Sequence, residues 1–192
     1  MFLSQPSTPD AVAYLEQDRA AMGYVMNLER AWAWRPDIAQ SFTALRKQLT
    51  DQSALTAREI ALLVCSTARA LGDSYCSLAW GARLAKLATP ELAAKILRSD
   101  DTIGLTQREH ALHEWAQHVV RDPNGTTQQQ IDGLRGVGFS DREIFEATTF
   151  IAMRLAFSTI NDALGAQPDR ELADAAPPEV QAAVTYGRRP LI

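Results

Sequence analysis

Residues 56–80, which read TAREIALLVCSTARALGDSYCSLAW, decide the fold of this chain. They open with Thr56-Ala-Arg-Glu59, a capping box in which the threonine hydroxyl and the glutamate carboxylate each accept a backbone N–H at a helix start. A largely apolar run follows and stops at Gly72, a residue suited to the left-handed backbone at helix ends. A second helical pattern begins at about residue 74. The segment therefore predicts two consecutive helices, 56–71 and 74–87.

Helical patterns fill the rest of the chain as well. Capping boxes recur at Thr106-Gln-Arg-Glu109 and Ser140-Asp-Arg-Glu143, with a weaker one at Thr127-Gln-Gln-Gln130, and Thr89-Pro90 is a cap with proline at the first helical position. The alternating, β-branched pattern of strands is absent. We therefore expect an all-α protein. The remaining predicted helices span about residues 10–22, 28–34, 36–49, 90–98, 106–121, 127–136 and 140–163, with a short one from Pro177-Pro178.

Composition narrows the class of protein. A chain of 192 residues, 46% hydrophobic, suits a single domain over 1–192 with an N-terminal arm at about 1–9 and a C-terminal arm at about 166–192. The net charge of −4, without any basic run, argues against nucleic-acid binding. No segment approaches the roughly 18 apolar residues of a membrane span. Two cysteines and no secretory pattern favour a reducing, cytoplasmic location.

Two features suggest higher-order organisation. Leu-Thr-x-Arg-Glu occurs at 55–59 and again at 105–109, which suggests an internal helical repeat, although so short a motif is weak evidence. The helix at 140–163 is apolar on more than one side, so it is either central to the domain or shared with another subunit. Arg154 within it requires a carboxylate or carbonyl partner if it is buried.

Cys76 is the candidate reactive residue. It lies at a predicted helix start, where unpaired N–H groups and a partial positive charge favour a thiolate. Either Asp73 or Ser74 could cap this helix, and a carboxylate at position 73 would disfavour the thiolate. The alternative is a small buried hydrophobe, which is also the simplest interpretation of Cys65.

Four motifs of the chain point together to one family. They are Gly-x-x-Tyr-Cys at 72–76, Leu105-Thr-x-Arg-Glu109, Gly138-Phe-Ser-Asp-Arg-Glu-Ile144 and Ile160-Asn-Asp-Ala-Leu-Gly165. They resemble motifs of the alkylhydroperoxidase (AhpD)-like / carboxymuconolactone decarboxylase family, and Gly23-Tyr-Val25 and Trp34-Arg-Pro-Asp37 resemble its peroxidase-related branch. The resemblance covers about residues 23–168 and implies an AhpD-like helical fold. It also implies a homo-oligomer, commonly a trimer or a hexamer built from dimers.

The resemblance also implies residue roles. Redox members carry Cys-x-x-Cys, a histidine four residues after the second cysteine, and a relay glutamate on the preceding helix. Cys76 corresponds to the second, peroxide-attacking cysteine, whereas Asp73 and Trp80 replace the first cysteine and the histidine. Glu59 is the candidate relay glutamate, although the usual spacing falls two residues later, on Ala61. Two residues rotate a helical side chain by roughly 200°, and Glu59 already has a capping role.

Three functions remain open from the sequence. The first is a weak single-cysteine peroxide reductase, in which Cys76 becomes a sulfenic acid that an external thiol reduces. The second is a catalytically degenerate oligomeric scaffold that binds a small apolar ligand or a partner in the former cleft, near Asp73, Ser74, Tyr75 and Trp80. The third is a decarboxylase- or lactone-type lyase.

Neither a cofactor nor a metal is expected. No phosphate loop, dinucleotide fingerprint or Ser/His/Asp constellation is visible. His110 and His113 are spaced to share a helix face, whereas His118 falls on another. A solvated polar stripe is therefore favoured over a metal site.

Overall fold

The computed structural model describes residues 1–191, and within them the chain forms helices and loops without a strand. This confirms the all-α expectation; Ile192, the last residue of the predicted arm, lies outside the described residues. No helix between residues 1 and 191 has the length and apolar character that crossing a bilayer requires. The helices are α1 (Pro9–Met22), α2 (Glu29–Trp32), α3 (Pro36–Asp51), α4 (Ala57–Leu71), α5 (Ser74–Leu87), α6 (Pro90–Arg98), α7 (Gln107–Arg121), α8 (Gln128–Gly136), α9 (Asp141–Ala163), α10 (Arg170–Ala175) and α11 (Pro178–Ala183).

Helix α4 lies at the centre of the fold because it is apolar on both sides. Every residue from Ile60 to Ala68 is buried, and the helix packs against α5, α6, α7 and α9. Leu63 joins Leu112 in a core with α7, α8 and α9. Leu62 joins Leu97 in a second core with α5, α6 and α11. The site described below lies beside this central helix.

The turn between α4 and α5 places Cys76. Helix α4 ends at Gly72, whose φ of +76° is the left-handed conformation that glycine adopts without strain. Asp73 then caps α5, its Oδ1 accepting the backbone N–H of Cys76 at 2.9 Å. Because the linker is so short, α5 returns alongside α4 and its first turn lies beside the end of α4.

The two Leu-Thr-x-Arg-Glu motifs exchange ion pairs. Both capping boxes form as predicted. Arg58 Nε lies 2.6 Å from Glu109 Oε1, and Arg108 Nε lies 2.6 Å from Glu59 Oε1. The arginine of each motif thus pairs with the glutamate of the other, and the two ion pairs join the start of α4 to the start of α7. The repeated motif therefore has a structural role.

The C-terminal segment packs on its own chain. Helices α10 and α11 cover α5 and α6. Beyond them, the Ser74 hydroxyl donates to Arg188 O at 2.7 Å, and the Tyr186 hydroxyl donates to Ser77 Oγ at 3.0 Å. Residues 166–191, which the sequence suggests as an arm, are tied to the start of α5 in this structure.

Candidate active site

Cys76 lies in the first turn of α5 with its sulfur directed at α9. The Sγ atom is 4.0 Å from Arg154 Nη1 and 3.9 Å from Ser158 Oγ. These two α9 residues are four apart, so they present their side chains on one face of the helix. Cys76 is only 4% exposed, and its thiol is enclosed between the two helices.

Asp73 completes the polar cluster around the thiol. Its Oδ1 accepts the N–H of Cys76, and its Oδ2 accepts the hydroxyl of Ser158 at 2.5 Å. The side chain is buried. Of the two candidate caps, Asp73 rather than Ser74 caps α5, and its carboxylate occupies the position at which the sequence resemblance predicts a first cysteine.

Arg154 is buried without a carboxylate partner among residues 1–191. Its hydrogen bond goes to the Cys76 thiol, and its guanidinium carbon lies 4.9 Å from the ring centre of Trp80 and 5.5 Å from that of Phe157. Within residues 1–191 Arg154 therefore does not form the carboxylate or carbonyl pairing that the sequence led us to expect. Burial lowers its pKa, and the neighbouring thiol partly opposes that shift.

The surroundings of Cys76 favour its neutral thiol over the thiolate. Burial raises its pKa far above the ordinary range, and the Asp73 carboxylate raises it further, whereas the Arg154 guanidinium lowers it. The pKa of Cys65 is also raised, by burial. Both cysteines are free and buried. The helix start alone therefore does not produce a thiolate here, because burial and Asp73 outweigh it.

Among the predicted pocket residues, Trp80 joins the site and two others do not. Trp80 is half-buried and stacks on Arg154, one helical turn after Cys76. Ser74 and Tyr75 instead bind the C-terminal segment, where Ser74 donates to Arg188 O and Tyr75 donates to the Asp169 carboxylate.

Glu59 is not brought to Cys76. It lies in the first turn of α4, whereas Cys76 lies beside the last turn, about 15 Å away along the helix axis. Its Oε2 accepts the Thr56 N–H at 2.8 Å, and its Oε1 accepts from Arg108 Nε. Both carboxylate oxygens are therefore engaged in the cap and the ion pair.

The three histidines divide between the core and a surface groove. His113 is buried, with Nδ1 2.7 Å from Ser66 Oγ and Nε2 2.6 Å from the Gln117 amide, and burial lowers its pKa. His110 and His118 line a groove between α7 and α8. His113 therefore does not belong to the predicted solvated polar stripe, and His118 lies on the same groove as His110 rather than on another face. Within residues 1–191 no cluster of metal-ligating side chains has a metal-site arrangement.

Ser158 is a site residue that sequence reasoning did not identify. Arg154, Ser158 and Asn161 are spaced by four and three residues, and all three are buried on one face of the largely apolar stretch 150–161 of α9. Asn161 accepts from Trp32 Nε1 at 2.9 Å. Polar residues at helical spacing inside an apolar helix are the signal that could have identified this face.

Solved structures show which fold this is. A peroxidase-related protein from Silicibacter sp. TM1040 matches with a TM-score of 0.78 and 22% identity over 89% of this chain and 93% of that one. A peroxidase-related protein from Ralstonia eutropha JMP134, described as an alkylhydroperoxidase AhpD core, matches with a TM-score of 0.74 and 21% identity over the same shares. The chain therefore has the AhpD-like all-α fold, and the resemblance seen in its motifs is confirmed for the fold.

A third similar structure has another described activity. The debrominase Bmp8 in its apo form matches with a TM-score of 0.67 and 15% identity over 95% of this chain and 94% of that one. A cysteine-to-alanine variant of Bmp8 has been solved in complex with 2,3,4-tribromopyrrole. No protein-family model matches the present chain, and no curated protein does.

Proposed function

We propose that this protein is a weak single-cysteine peroxide reductase whose reacting atom is the sulfur of Cys76. The observation that carries this is the Arg154 guanidinium, buried and hydrogen-bonded to that sulfur at 4.0 Å. Among residues 1–191 Arg154 has no carboxylate partner, so no ion pair of the described chain balances its charge at this depth. A cation beside a thiol stabilises both the thiolate and the negative charge on a departing oxygen. The AhpD-like fold of two peroxidase-related proteins supports the same assignment.

The chemistry uses one protein thiol and one outside reductant. The sulfur attacks a peroxide oxygen, the O–O bond breaks, and the departing oxygen is protonated to water or an alcohol. Cys76 is oxidised by two electrons to a sulfenic acid. Because position 73 is an aspartate, the partner thiol of a Cys-x-x-Cys motif is missing, so an external thiol reduces this acid. Trp80, half-buried one turn along α5, is the side chain whose movement would admit a peroxide.

Peroxide turnover tests this function. Consumption of hydrogen peroxide is followed with dithiothreitol as the external thiol, comparing the native chain with Cys76→Ser and Cys65→Ala. We expect consumption above background for the native chain and Cys65→Ala, and background alone for Cys76→Ser. Equal consumption by the native chain and Cys76→Ser would reject Cys76 as the reacting residue.

A non-enzymatic scaffold is the second candidate. It is favoured by the depth of Cys76 and by the raised pKa of its thiol, since a protonated, buried thiol reacts slowly. Alkylation by iodoacetamide separates the two candidates. A scaffold leaves Cys76 unmodified in the native state and modifies it only in denaturant. A peroxide reductase shows measurable native alkylation that is lost in Cys76→Ser.

We further propose that the chain forms a homo-oligomer through the outer face of α9. Four exposed apolar residues lie on this face at helical spacing, and the helix also packs inward on the core. Monomeric proteins rarely expose a long apolar stripe without charges. Such a stripe on one helix can pack against the same stripe of a second copy of the chain, related to it by a two-fold axis. The residues are Phe145, Ala152, Ala156 and Ile160.

Light scattering coupled to size-exclusion chromatography tests the oligomer. Phe145 is 70% exposed and Ile103, outside α9, is 76% exposed. We expect Phe145→Glu to lower the mass of the assembly and Ile103→Glu to leave it unchanged. A native chain that is monomeric at all concentrations would reject the proposal.

A further inference from the structure

We propose that Ser158 and Asp73 form the route by which the thiol proton of Cys76 leaves the sulfur, in place of a histidine base. The proposal rests on the peroxide-reductase function above. The three side chains form a continuous chain of contacts. The distance is 3.9 Å from Cys76 Sγ to Ser158 Oγ and 2.5 Å from that Oγ to Asp73 Oδ2.

The direction of the hydrogen bonds follows from their chemistry. A serine hydroxyl carries one proton and two lone pairs, and an ionised carboxylate only accepts. The Ser158 proton therefore points to Asp73, which leaves an oxygen lone pair for the thiol. The thiol S–H donates to Ser158 Oγ, and Ser158 O–H donates to Asp73 Oδ2. Both protons are thus oriented to move the same way, from the sulfur toward the carboxylate.

The rest of the site holds this chain in place. The second oxygen of Asp73 is fixed by the N–H of Cys76 at 2.9 Å. Asp73, Ser158 and Cys76 are all nearly inaccessible to solvent. Trp80 occupies the position at which the resemblance predicts a histidine, and an indole cannot accept a proton in its place.

Transfer of the thiol proton to Asp73 within the protein also avoids an electrostatic penalty. In the resting state the buried anion is the Asp73 carboxylate; after transfer it is the Cys76 sulfur, 4.0 Å from Arg154 Nη1. Release of the thiol proton to water would instead leave two buried anions beside one cation. Because a carboxyl group is ordinarily more acidic than a thiol by about 4 to 5 pKa units, the thiolate is a minor species. A slow reaction is the consequence.

The proton balance of one turnover is closed. Ser158 takes the thiol proton while passing its own to Asp73. The sulfur electron pair forms the S–O bond, and the O–O pair goes to the departing oxygen. That oxygen takes the proton back from Asp73 through Ser158. One thiol and one hydrogen peroxide give one sulfenic acid and one water, and Asp73 is again ionised.

Other charged and titratable groups lie around the cluster, and the pKa of Asp162 falls below the pH range of the test described next. Burial, followed by the charge of Asp73, raises the pKa of Asp162 to about 6, and burial raises that of Tyr186 to about 12. The pKa of Cys65 is raised as well. The surrounding groups are Arg46 of α3, Cys65 of α4, Arg154 and Asp162 of α9, and Tyr186 of the C-terminal segment.

The test measures the rate of sulfenic acid formation by hydrogen peroxide from about pH 7 to about pH 8.5. The parent carries Cys65→Ala, so that Cys76 is its single thiol. We expect its rate to change less than twofold over this range, because the proton moves within the protein. Adding Ser158→Ala should lower the rate at least tenfold near pH 7 and make it rise about tenfold per pH unit, since deprotonation then depends on solvent.

Two further variants separate the route from a structural effect. Ser158→Thr keeps the hydroxyl and should stay within threefold of the parent. Asp73→Asn keeps a good helix cap but accepts no proton from Ser158, and it should acquire the same pH slope as Ser158→Ala. Thermal melting of each variant shows that it is folded. A rate for Ser158→Ala within twofold of the parent, with a flat pH profile, would overturn the route.

An infrared readout is independent of peroxide. The S–H stretching band of Cys76 should move to higher frequency when Ser158→Ala removes its acceptor. A band that does not move overturns the route even if peroxide reacts. A parent that forms no sulfenic acid at all rejects the peroxide-reductase function, and the route with it.

Discussion

Arg154 Nη1 lies 4.0 Å from Cys76 Sγ, deep between α9 and α5. The guanidinium is otherwise bordered by the rings of Trp80 and Phe157. A buried cation without a carboxylate partner reduces stability, and side chains that reduce stability in this way concentrate at functional sites.

Replacing Arg154 by methionine should separate function from stability. We expect Arg154→Met to slow Cys76 oxidation at least tenfold, because the thiolate loses its cation. The melting temperature should stay unchanged or rise, because an apolar side chain replaces an unpaired buried charge. The matched control is Arg108→Met, which removes ion pairs to Glu59 and Glu143. It should lower the melting temperature without slowing oxidation. The reverse pattern would make Arg154 a structural residue.

Glu59 should behave like its counterpart Glu109. In Glu59→Gln and Glu109→Gln the amide still completes the capping box, but each loses its arginine ion pair. We expect each variant to lose about 1 to 2 kcal/mol of unfolding free energy, measured by urea denaturation, and to oxidise Cys76 within twofold of the native rate. Slower oxidation in Glu59→Gln alone would restore Glu59 as a relay glutamate.

Asp162 should make stability depend on pH. Burial and the nearby Asp73 charge raise its pKa from 3.8 to about 6, so the folded state binds its proton more tightly than the unfolded state does. The contribution of Asp162 to the free energy of unfolding is therefore fully present below about pH 3.8, and it is lost as the pH rises through about 6. Asp162→Asn should therefore stabilise the protein at pH 7.5 by about 1 kcal/mol, allowing for solvent screening. Near pH 4 the same substitution should leave the stability unchanged. Equal melting temperatures at pH 7.5 would contradict this.

The helices were predictable because their ends carry local chemistry. Thr56, Thr106 and Ser140 each begin a capping box within a few residues, and Gly72 ends α4 through its own backbone preference. Helix α10 was not predicted, because six residues without a side-chain cap give no comparable signal.

The site was predictable only in part. The position of Cys76 at a helix start follows from Gly72 and Asp73 in the sequence. The burial of Cys76 does not follow from the local sequence, because it depends on α9 covering the start of α5. The same long-range packing brings Arg154 and Ser158 to the thiol, and it joins Glu59 to Arg108 rather than to Cys76.

Trapping of a sulfenic acid tests the central claim most directly. The native chain, Cys65→Ala and Cys76→Ser are treated with one equivalent of hydrogen peroxide and dimedone, and the intact masses are measured. We predict one dimedone adduct in the native chain and in Cys65→Ala, and none in Cys76→Ser. No adduct in the native chain, or an undiminished adduct in Cys76→Ser, would contradict the assignment of Cys76 as the reacting residue.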